Sequence, residues 1–423
     1  MPKSDPSNLS AITGAKERQT AFSSLRHRDF RLLWMGMIVS VTGSQMQLAA
    51  INWHVYLITH SAFALGIVGL FRAVPIIVCS LLGGVVADVI DRRRMMMITQ
   101  TVMLTASAVL AVVTVLGVES VWPIYLLTGT ASAASAFDTP ARQALMPALV
   151  PTSDFPNAVS LSMIVFQIAM ISGPAIAGLL LATHGPALVY CANAASFVAV
   201  IVALALMRVS GKPMEDGAEK ASLSFASLIE GLRFVWRTPI IVQTMTLDFV
   251  ATFFASANQL LPIFAVGVLN VGARGFGILQ AAPATGSVIA GLVMARLGTL
   301  KKQGMTVILS VAVFGAATIV FGVSRVFWFS VVMLALMGAA DTVSTILRQT
   351  IRQLSTPNYL RGRMTSVNMI FFMGGPQLGE VEAGTLAALI GAPLSVVTGG
   401  VGCLLAVAIA MVAARNLRRY EVK

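Results

Sequence analysis

Four ionisable side chains stand deep inside apolar stretches of the sequence: Arg72, Asp248, Glu380 and Glu382. Placing a charge at the centre of a membrane-spanning helix costs about 2.5 to 3.5 kcal/mol on insertion scales, so such residues usually have a functional role. A carboxylate in this position can take up and release a proton, and an arginine can pair with an acid. We therefore predict that the four residues belong to the path of a proton or a substrate.

The expected roles of these residues differ. Asp248 lies near the middle of its apolar stretch and is predicted to carry the coupling proton, or else to hydrogen bond a nearby serine or threonine. Glu380 is the alternative carrier. Because Glu380 and Glu382 are two residues apart, they point about 200° apart on a helix, so at most one of them faces the path. Arg72 either belongs to the path or caps carbonyl groups at a helix break near Pro75.

Uncharged polar side chains interrupt two apolar stretches. Gln47 and His54 are seven residues apart and share one helix face, and Asn258 and Gln259 form a corresponding polar pair later in the chain. An unperturbed histidine titrates in the physiological range, but the position of His54 near the end of its stretch favours simple contact with water. All four residues are candidates for the path.

Two aspartates stand at the ends of predicted helices, each close to an arginine. Asp138 precedes Arg142, and Asp341 precedes Arg348. Opposite charges near helix ends are most simply explained as structural pairs. We therefore predict charge-paired helix ends here and leave these four residues out of the path.

The composition identifies a membrane protein. Hydrophobic residues make up 57% of the chain and charged residues 11%, against about 25% charged residues in typical soluble domains. The cysteines, Cys79, Cys191 and Cys403, lie in apolar runs without ligand spacing, so no metal site or disulfide framework is predicted. No glycine-rich nucleotide-binding loop or nucleophile triad is recognisable, which argues against ATP drive and enzymatic activity. No cofactor is expected.

Twelve apolar segments long enough to cross a bilayer follow one another along the chain. The predicted fold class is therefore an all-α membrane protein with twelve transmembrane helices. The approximate spans are 32–58, 62–86, 95–117, 121–140, 159–182, 186–208, 239–267, 274–296, 304–323, 326–347, 365–390 and 392–414.

The second half of the chain repeats the first at a spacing of about 206 to 208 residues, and Pro75 and Gly83 fall on Pro283 and Gly291. The stretch 142–160 aligns without gaps on 348–366. A duplicated membrane half is typical of secondary transporters whose substrate path runs between the halves. We predict two six-helix pseudo-repeats, an N-terminal bundle at 1–208 and a C-terminal bundle at 239–423, joined by a cytoplasmic linker at 209–238.

The basic residues predict the orientation of the chain. If both termini are cytoplasmic, every lysine and arginine except Arg72, Arg274 and Arg325 falls on the cytoplasmic side, as the positive-inside rule requires. A basic face against an anionic inner leaflet explains the net charge of +12 without a nucleic-acid partner. The protein is thus predicted to be a multi-pass membrane protein with both termini in the cytoplasm.

The loop after the second segment carries a recognisable motif. It reads Gly-Gly-Val-Val-Ala-Asp-Val-Ile-Asp-Arg-Arg-Arg from Gly83 to Arg94 and resembles the loop signature of the major facilitator superfamily. It departs from that signature at Val89 and Asp91. The residues that match are Gly84, Asp88, Arg92 and Arg93.

The resemblance implies a gate on the cytoplasmic side. Gly84 would allow close helix packing, and Asp88 would sit at a helix amino-terminus of the opposite half, where the helix dipole favours an acid. Arg92 and Arg93 would pair with acids of neighbouring helices. The alternative is that a basic loop at this position only sets the topology.

Other stretches resemble one branch of the superfamily. Residues 25–34, 53–59 and 137–144 are similar to the branch that contains the enterobactin exporter and related macrolide and drug efflux transporters. Gly173 and Pro174, with Gly178, resemble the glycine–proline signature of exporters, and a simple kink with small-residue packing is the compatible alternative.

The fold of this superfamily adds two expectations about the path. It makes the second and eleventh segments neighbours, so Arg72 is expected to pair with Glu380 or Glu382. It also places the first segment at the central cavity, next to Gln47 and His54.

The resemblance implies a secondary active exporter in the plasma (inner) membrane that moves a bulky, siderophore- or drug-like organic compound out of the cytoplasm in exchange for protons. We expect the protein to function as a monomer. A lysophospholipid flippase or a solute importer of the same fold is the alternative within transport. A transport-inactive scaffold or sensor is the alternative of a different class. The cost of the buried acids argues against that last possibility.

Overall fold

The computed structural model describes residues 22–118, 120–209, 232–255, 258–298, 300–357 and 360–421, which include twelve long helices. Side chains are described throughout these ranges except at 80–89, 362–363, 366, 369–370 and 372–374. The helices are α1 Arg28–Thr59, α2 Ala62–Val89, α3 Arg92–Val115, α4 Trp122–Leu149, α5 Phe155–His184, α6 Pro186–Leu206, α7 Pro239–Phe254, α8 Gly272–Leu297, α9 Gln303–Val323, α10 Phe327–Leu354, α11 Arg361–Ile390 and α12 Ala392–Ala413.

Each predicted segment corresponds to one of these helices, which confirms the predicted fold class. Within the described ranges, nine helical spans are long and apolar enough to cross a membrane by length and composition. The long helices outside that group are α1, α4 and α11, all of which carry charged residues. Their polarity is expected of helices that face a path instead of lipid.

Helix α7 differs from the prediction of one continuous span over 239–267. The α-helix ends at Phe254, and a 3₁₀ turn over Asn258–Leu260 and a π-helical turn over Phe264–Val268 follow. Pro262 is the second residue of the short helical turn Leu261–Ile263 between them, and a proline lacks the N–H group that would continue a regular helix. Single π turns are frequent at functional sites, and this one lies beside Gln259.

The two halves have the same internal packing. In the first half α1 packs on α5 and α6, α2 on α4, and α3 on α4 and α6. In the second half α7 packs on α11 and α12, α8 on α10, and α9 on α10 and α12. Adding six to each number in the first set gives the second set, so the sequence repeat is also a structural repeat. The halves meet where α2 packs on α11 and α5 on α8.

The apolar core shows where the halves are joined. We call the end of the bundle at which α1 begins and α12 ends the terminal side, and the opposite end the distal side. On the distal side one continuous cluster combines both halves, with Val55 and Leu65 from the first and Phe264 and Phe276 from the second. On the terminal side the two large clusters each belong to a single half.

Polar contacts fasten the helix ends on the terminal side. Asp29 accepts hydrogen bonds from the backbone N–H groups of Arg208 and Val209, both at 2.9 Å, which ties the start of α1 to the end of α6. His27 hydrogen bonds Asp154 at 2.8 Å. This hydrogen bond is the main cause that lowers the pKa of Asp154, so the carboxylate stays charged at the start of α5, where the helix dipole favours an anion.

The predicted linker is described only in part. Residues 210–231 lie outside the described ranges, and 232–237 form a helix. In that helix Val235 is buried against Ile241 of α7 and Met364 of α11. On either side of this region α6 ends at Leu206 and α7 begins at Pro239.

Candidate functional site

Two glycine-lined helix crossings close the distal side. Where α2 meets α11, an added Cβ on Gly384 would lie 2.8 Å from the Cα of Gly66. Where α5 meets α8, an added Cβ on Gly178 would lie 2.7 Å from the Cα of Gly277. Real Cβ atoms do not approach other atoms this closely, so each crossing requires glycine on both helices. We call these two contacts the distal crossings.

The glycine–proline signature contributes directly to one of the distal crossings. The carbonyl oxygen of Pro174 would lie 2.6 Å from a Cβ added to Gly277 on the other half. Gly173 faces the opposite way, and its added Cβ would meet Gln45 of α1 at 2.5 Å. The predicted small-residue packing is therefore present, and Pro174 and Gly178 also join the halves. An aromatic contact between Trp53 and Phe276, 5.2 Å between ring centroids, lies beside them.

Glu380 lies within the crossing of α2 and α11. Its Oε2 accepts a hydrogen bond of 2.9 Å from the side-chain amide of Gln259, and this oxygen would lie 2.6 Å from a Cβ added to Gly69 of α2. The carboxylate thus sits at the contact between the halves. Glu382 is partly buried and has no side-chain partner among the described residues, in line with the expectation that the two glutamates face apart.

The predicted ion pair of Arg72 is not formed in this structure. No carboxylate of a described side chain lies within 4.0 Å of its guanidinium, although Arg72 is near enough to Glu380 for an electrostatic interaction. Instead, Arg72 lines a cavity of about 250 Å³ enclosed by α1, α2, α3, α4 and α6 of the first half. The expected neighbourhood of α2 and α11 is correct, but the side chain turns into the first bundle.

Nine of the fifteen residues that line this cavity, which we call the N-half cavity, have polar side chains. Gln47 accepts a hydrogen bond of 2.8 Å from Asn193, whose amide nitrogen also lies 3.3 Å from the Ser107 hydroxyl. The hydroxyl of Thr128 is buried without a partner among the described residues. The remaining lining residues are Ser44, Gln45, Leu48, Ile51, Ile76, Met103, Ala131, Ser132, Ser135 and Phe197.

Asp248 belongs to a buried ion-pair network in the second half. Its Oδ1 lies 2.8 Å from Nη2 of Arg348, and its Oδ2 lies 3.9 Å from Nη1 of Arg352. Arg352 also donates a 2.6 Å hydrogen bond to Asn368 of α11, and Arg348 lies 3.6 Å from Asp341. The network joins α7, α10 and α11.

In this environment the carboxylate of Asp248 has two arginine partners, and no serine or threonine partner among the described residues; its role as the carrier of the coupling proton stays a prediction. The side chains of Asp248, Arg348 and Arg352 are each 5% exposed or less. Removing one member of a buried ion pair leaves an uncompensated charge, which typically costs about 3 to 5 kcal/mol. Asp248 therefore has the surroundings of a structural residue.

The arginine partner of Asp248 could not be found by pairing residues along the sequence. The expected pairs of Asp138 with Arg142 and of Asp341 with Arg348 are both present at 3.6 Å. In the first half Asp138 also accepts hydrogen bonds from Thr99 and Gln100 of α3. The available signal was that Arg348 and Arg352 are four residues apart, so one helix face carries two buried cations that need an acid.

The other candidate residues fall in three places. His54 is partly buried and hydrogen bonds the Tyr190 hydroxyl at 3.2 Å, so it contacts α6 and not the N-half cavity. Asn258 is exposed, whereas Gln259 is buried against Glu380.

In the predicted gate, the surroundings of Gly84 and the side chain of Asp88 are not among the described parts of the chain. Arg92 and Arg93 were expected to pair with acids, but they donate to backbone carbonyls. Arg92 bonds the carbonyl of Ala144 and Arg93 that of Ala205, each at 3.0 Å. Both arginines thus bind the ends of helices in their own half. The structure leaves the gating role of this loop as a prediction.

No metal centre accompanies these residues in the part of the chain that the structure describes. No group of three or more histidine, cysteine, aspartate or glutamate side chains in these ranges could hold a metal ion.

Comparison with known proteins gives consistent results over nearly the whole chain. The family model described as transmembrane secretion effector, a model of the major facilitator superfamily, matches residues 19–422. The enterobactin exporter EntS of Shigella boydii serotype 18 is 26% identical over 396 residues, which cover 93% of this chain and 94% of the relative. That of Citrobacter koseri is 25% identical over the same shares.

Solved structures share the fold at low identity. A bacterial homologue of the human lysosomal transporter Spinster, described as inward-facing and unoccupied, has a TM-score of 0.73 at 14% identity and covers 97% of this chain and all of its own. A POT family transporter in complex with 5-aminolevulinic acid has a TM-score of 0.74 at 11% identity, with 93% and 97% covered.

Proposed function

Because this chain belongs to the transmembrane secretion effector family of the major facilitator superfamily, we propose that it is a secondary active exporter of a siderophore-like organic compound. It works by alternating access, in exchange for protons. The observation that carries the proposal is the similarity to enterobactin exporters over 93% of this chain and 94% of theirs. Since both halves contribute to one path, a single chain is the functional unit.

The orientation of the chain follows from its basic residues. With both termini in the cytoplasm, the terminal side faces the cytoplasm and holds nearly all of the lysines and arginines. The distal crossings then lie on the outer side. A molecule joined across its outer side, with separate apolar clusters on its inner side, is in an inward-facing state, ready to receive a cytoplasmic substrate.

We assign the coupling proton to Glu380 and give Asp248 a structural role. Glu380 lies inside a crossing that must separate when the outer side opens, so the outer solution reaches it only in the outward-facing state. In the inward-facing state its proton leaves toward the cytoplasm through the N-half cavity, which is lined by Arg72, the electrostatic neighbour of Glu380. A neutral, protonated Glu380 fits the closed crossing, whereas a charged one disfavours closure because it is desolvated. Protonation from outside therefore favours the return to the inward-facing state, and loss of the proton favours opening.

The proposal can be tested in inverted membrane vesicles with an imposed pH gradient, acidic inside, and enterobactin as the probe. We expect gradient-driven accumulation of the probe inside the vesicles. Glu380→Gln should abolish the dependence on the gradient while leaving downhill exchange, and Glu382→Gln, on the same helix with no side-chain partner, should behave like the wild type.

Two results would contradict the proposal. Unchanged gradient dependence in Glu380→Gln protein would remove Glu380 from the coupling mechanism. Absence of probe accumulation by well-inserted wild-type protein, combined with movement of a lysophospholipid or inward movement of a solute, would instead favour the flippase or the importer.

A further inference from the structure

We propose that the N-half cavity binds an anionic oxygen group of the exported compound, with Arg72 supplying the positive charge. The inference deepens the proposed export function and rests on it, because it names the chemical class that the pocket accepts. It follows from the charge, the hydrogen-bonding capacity and the size of the cavity.

The charge of the cavity is positive. Arg72 is a lining residue, and no aspartate or glutamate is among the lining side chains. None of the described carboxylates forms an ion pair with Arg72. A guanidinium presents five N–H donors in a planar fork that matches a carboxylate or another bidentate oxygen group. A partly buried arginine that forms no ion pair with a described carboxylate therefore favours an anionic ligand.

The uncharged polar side chains of the cavity also have hydrogen-bond donors that lack a partner among the described residues. The Gln47 oxygen and the Ser107 hydroxyl oxygen already accept from Asn193, so the Gln47 amide nitrogen and the Ser107 hydroxyl hydrogen remain available. The Thr128 hydroxyl is buried without a partner among the described residues. A ligand that brings acceptor oxygens satisfies these groups, whereas a ligand that brings only donors does not.

Size and apolar walls restrict the ligand further. The volume of about 250 Å³ is below the roughly 300 to 1,000 Å³ of pockets that enclose drug-sized ligands. The cavity thus accepts one arm of a bulky compound and leaves the rest in the space between the halves. Ile76, Met103 and Phe197 are among its apolar lining residues, so the arm combines an apolar or aromatic body with an anionic oxygen group.

The repeat shows that this charge is confined to the first half. The residue at the position of Arg72 in the second half is Gln280, whose side-chain oxygen is buried without a partner among the described residues. If Arg72 only supported the fold, the pseudo-repeat would be expected to need an arginine in both halves. One charged and one neutral position give the ligand a preferred orientation in the path.

The experiment compares three probes of nearly equal shape: benzoate, benzamide and benzamidinium, which are anionic, neutral and cationic. Their binding to the full chain in lipid nanodiscs is measured by ligand-observed NMR. We expect benzoate to bind about tenfold or more tightly than benzamide, since a charge-assisted hydrogen bond is roughly twice as strong as a neutral one. Benzamidinium should bind most weakly.

Substitutions identify the residue responsible. Arg72→Gln should remove the preference for benzoate, Arg72→Lys should retain part of it, and Arg274→Gln, which changes an exposed arginine at the distal end of α8, should not alter it. An equal or greater affinity for benzamidinium, or a benzoate preference that survives Arg72→Gln, would overturn the inference. Because binding is read without transport, anion binding with no enterobactin export would contradict the proposed function and leave this site intact.

Discussion

At the scale of single residues, buried charges in this protein fall into two groups with different surroundings. Asp248 is enclosed by two guanidinium groups, one at 2.8 Å and one at 3.9 Å. Glu380 has one neutral amide partner and a glycine of the opposite half beside it. The first arrangement holds three helices of one bundle together. The second changes whenever the halves move.

We predict that Asp248→Asn destabilises the protein more than any other neutralisation of an acid in the second half. Arg348 would then be a buried cation without its nearest acid, and the free energy of unfolding should fall by about 3 kcal/mol. Asp341→Asn affects the same arginine from a side chain that is 47% exposed, and it should cost less than about 1 kcal/mol. Denaturant unfolding in detergent measures both.

The double variant Asp248→Asn/Arg348→Gln separates a structural pair from a proton carrier. Removing both charges should restore more than half of the stability lost in Asp248→Asn, and gradient-dependent export should return with it. Restored stability together with a complete loss of gradient dependence would show that Asp248 takes part in proton coupling after all.

At this scale the sequence identified the charged residues that are energetically costly to place in a membrane, but not all of their interaction partners. The depth of Asp248 and Glu380 follows from counting along apolar stretches. The pair of Asp248 with Arg348 joins residues that are far apart in the chain, so it depends on how α7 packs against α10. The direction of Arg72 depends on a side-chain rotamer. Neither packing nor rotamer is encoded in spacing alone.

At the scale of helices, glycines determine how closely the halves approach. Each distal crossing places backbone against backbone, with Gly178 against Gly277 and Gly66 against Gly384. Glycine inside a helix is unfavourable by roughly 0.5 to 1 kcal/mol relative to alanine. The close contact between the two helices offsets this cost only while the distal side is closed.

We predict that Gly277→Ala shifts the protein toward the outward-facing state. The added methyl would lie 2.6 Å from the carbonyl oxygen of Pro174, a backbone atom that can move only with its helix. Gly291→Ala on the same helix has no atom within 4 Å of the new methyl and serves as the control. Cysteine-free protein with spin labels at Val118 and Arg325, exposed positions on the distal side of opposite halves, reports the separation.

The labels in Gly277→Ala protein should lie farther apart than in the wild type, with no change in Gly291→Ala protein. Equal distances in all three proteins would show that α5 and α8 accommodate the added methyl group while the distal side stays closed. The repeat in the sequence predicted two six-helix pseudo-repeats. It did not predict the break in α7, because a π turn and a 3₁₀ turn arise from local backbone geometry that apolar patterning does not record.

At the scale of the whole molecule, the closed distal side and the separate terminal clusters make the two bundles movable bodies. If Glu380 controls the equilibrium between the inward-facing and outward-facing states, the protonation of its carboxylate determines which state is favoured. The protonated side chain favours the closed distal side, so low pH should shorten the distance between the Val118 and Arg325 labels. High pH removes the proton, leaves a charge in the crossing and should lengthen it.

We predict that Glu380→Gln removes the pH dependence of the label distance and shifts the mean distance toward the short value without excluding the open state, since the amide stays neutral. Glu382→Gln should keep the response of the wild type. Spin-label distances in nanodiscs across a pH series provide the measurement. A wild-type distance that does not respond to pH, or a response that persists in Glu380→Gln protein, would place the proton-sensing group elsewhere.

The distal apolar cluster has a consequence for the range of cargo that the protein can carry. Separating the bundles wets the apolar faces of side chains such as Leu65 and Phe276, at a cost of about 25 cal/mol for each Å² exposed. A substrate with an apolar surface covers part of these faces as the two bundles separate. It therefore lowers the energy barrier to its own release. Substrate selection by this effect depends on the apolar area that the substrate covers more than on its detailed shape. Chemically unrelated amphipathic molecules of similar size should therefore share this route.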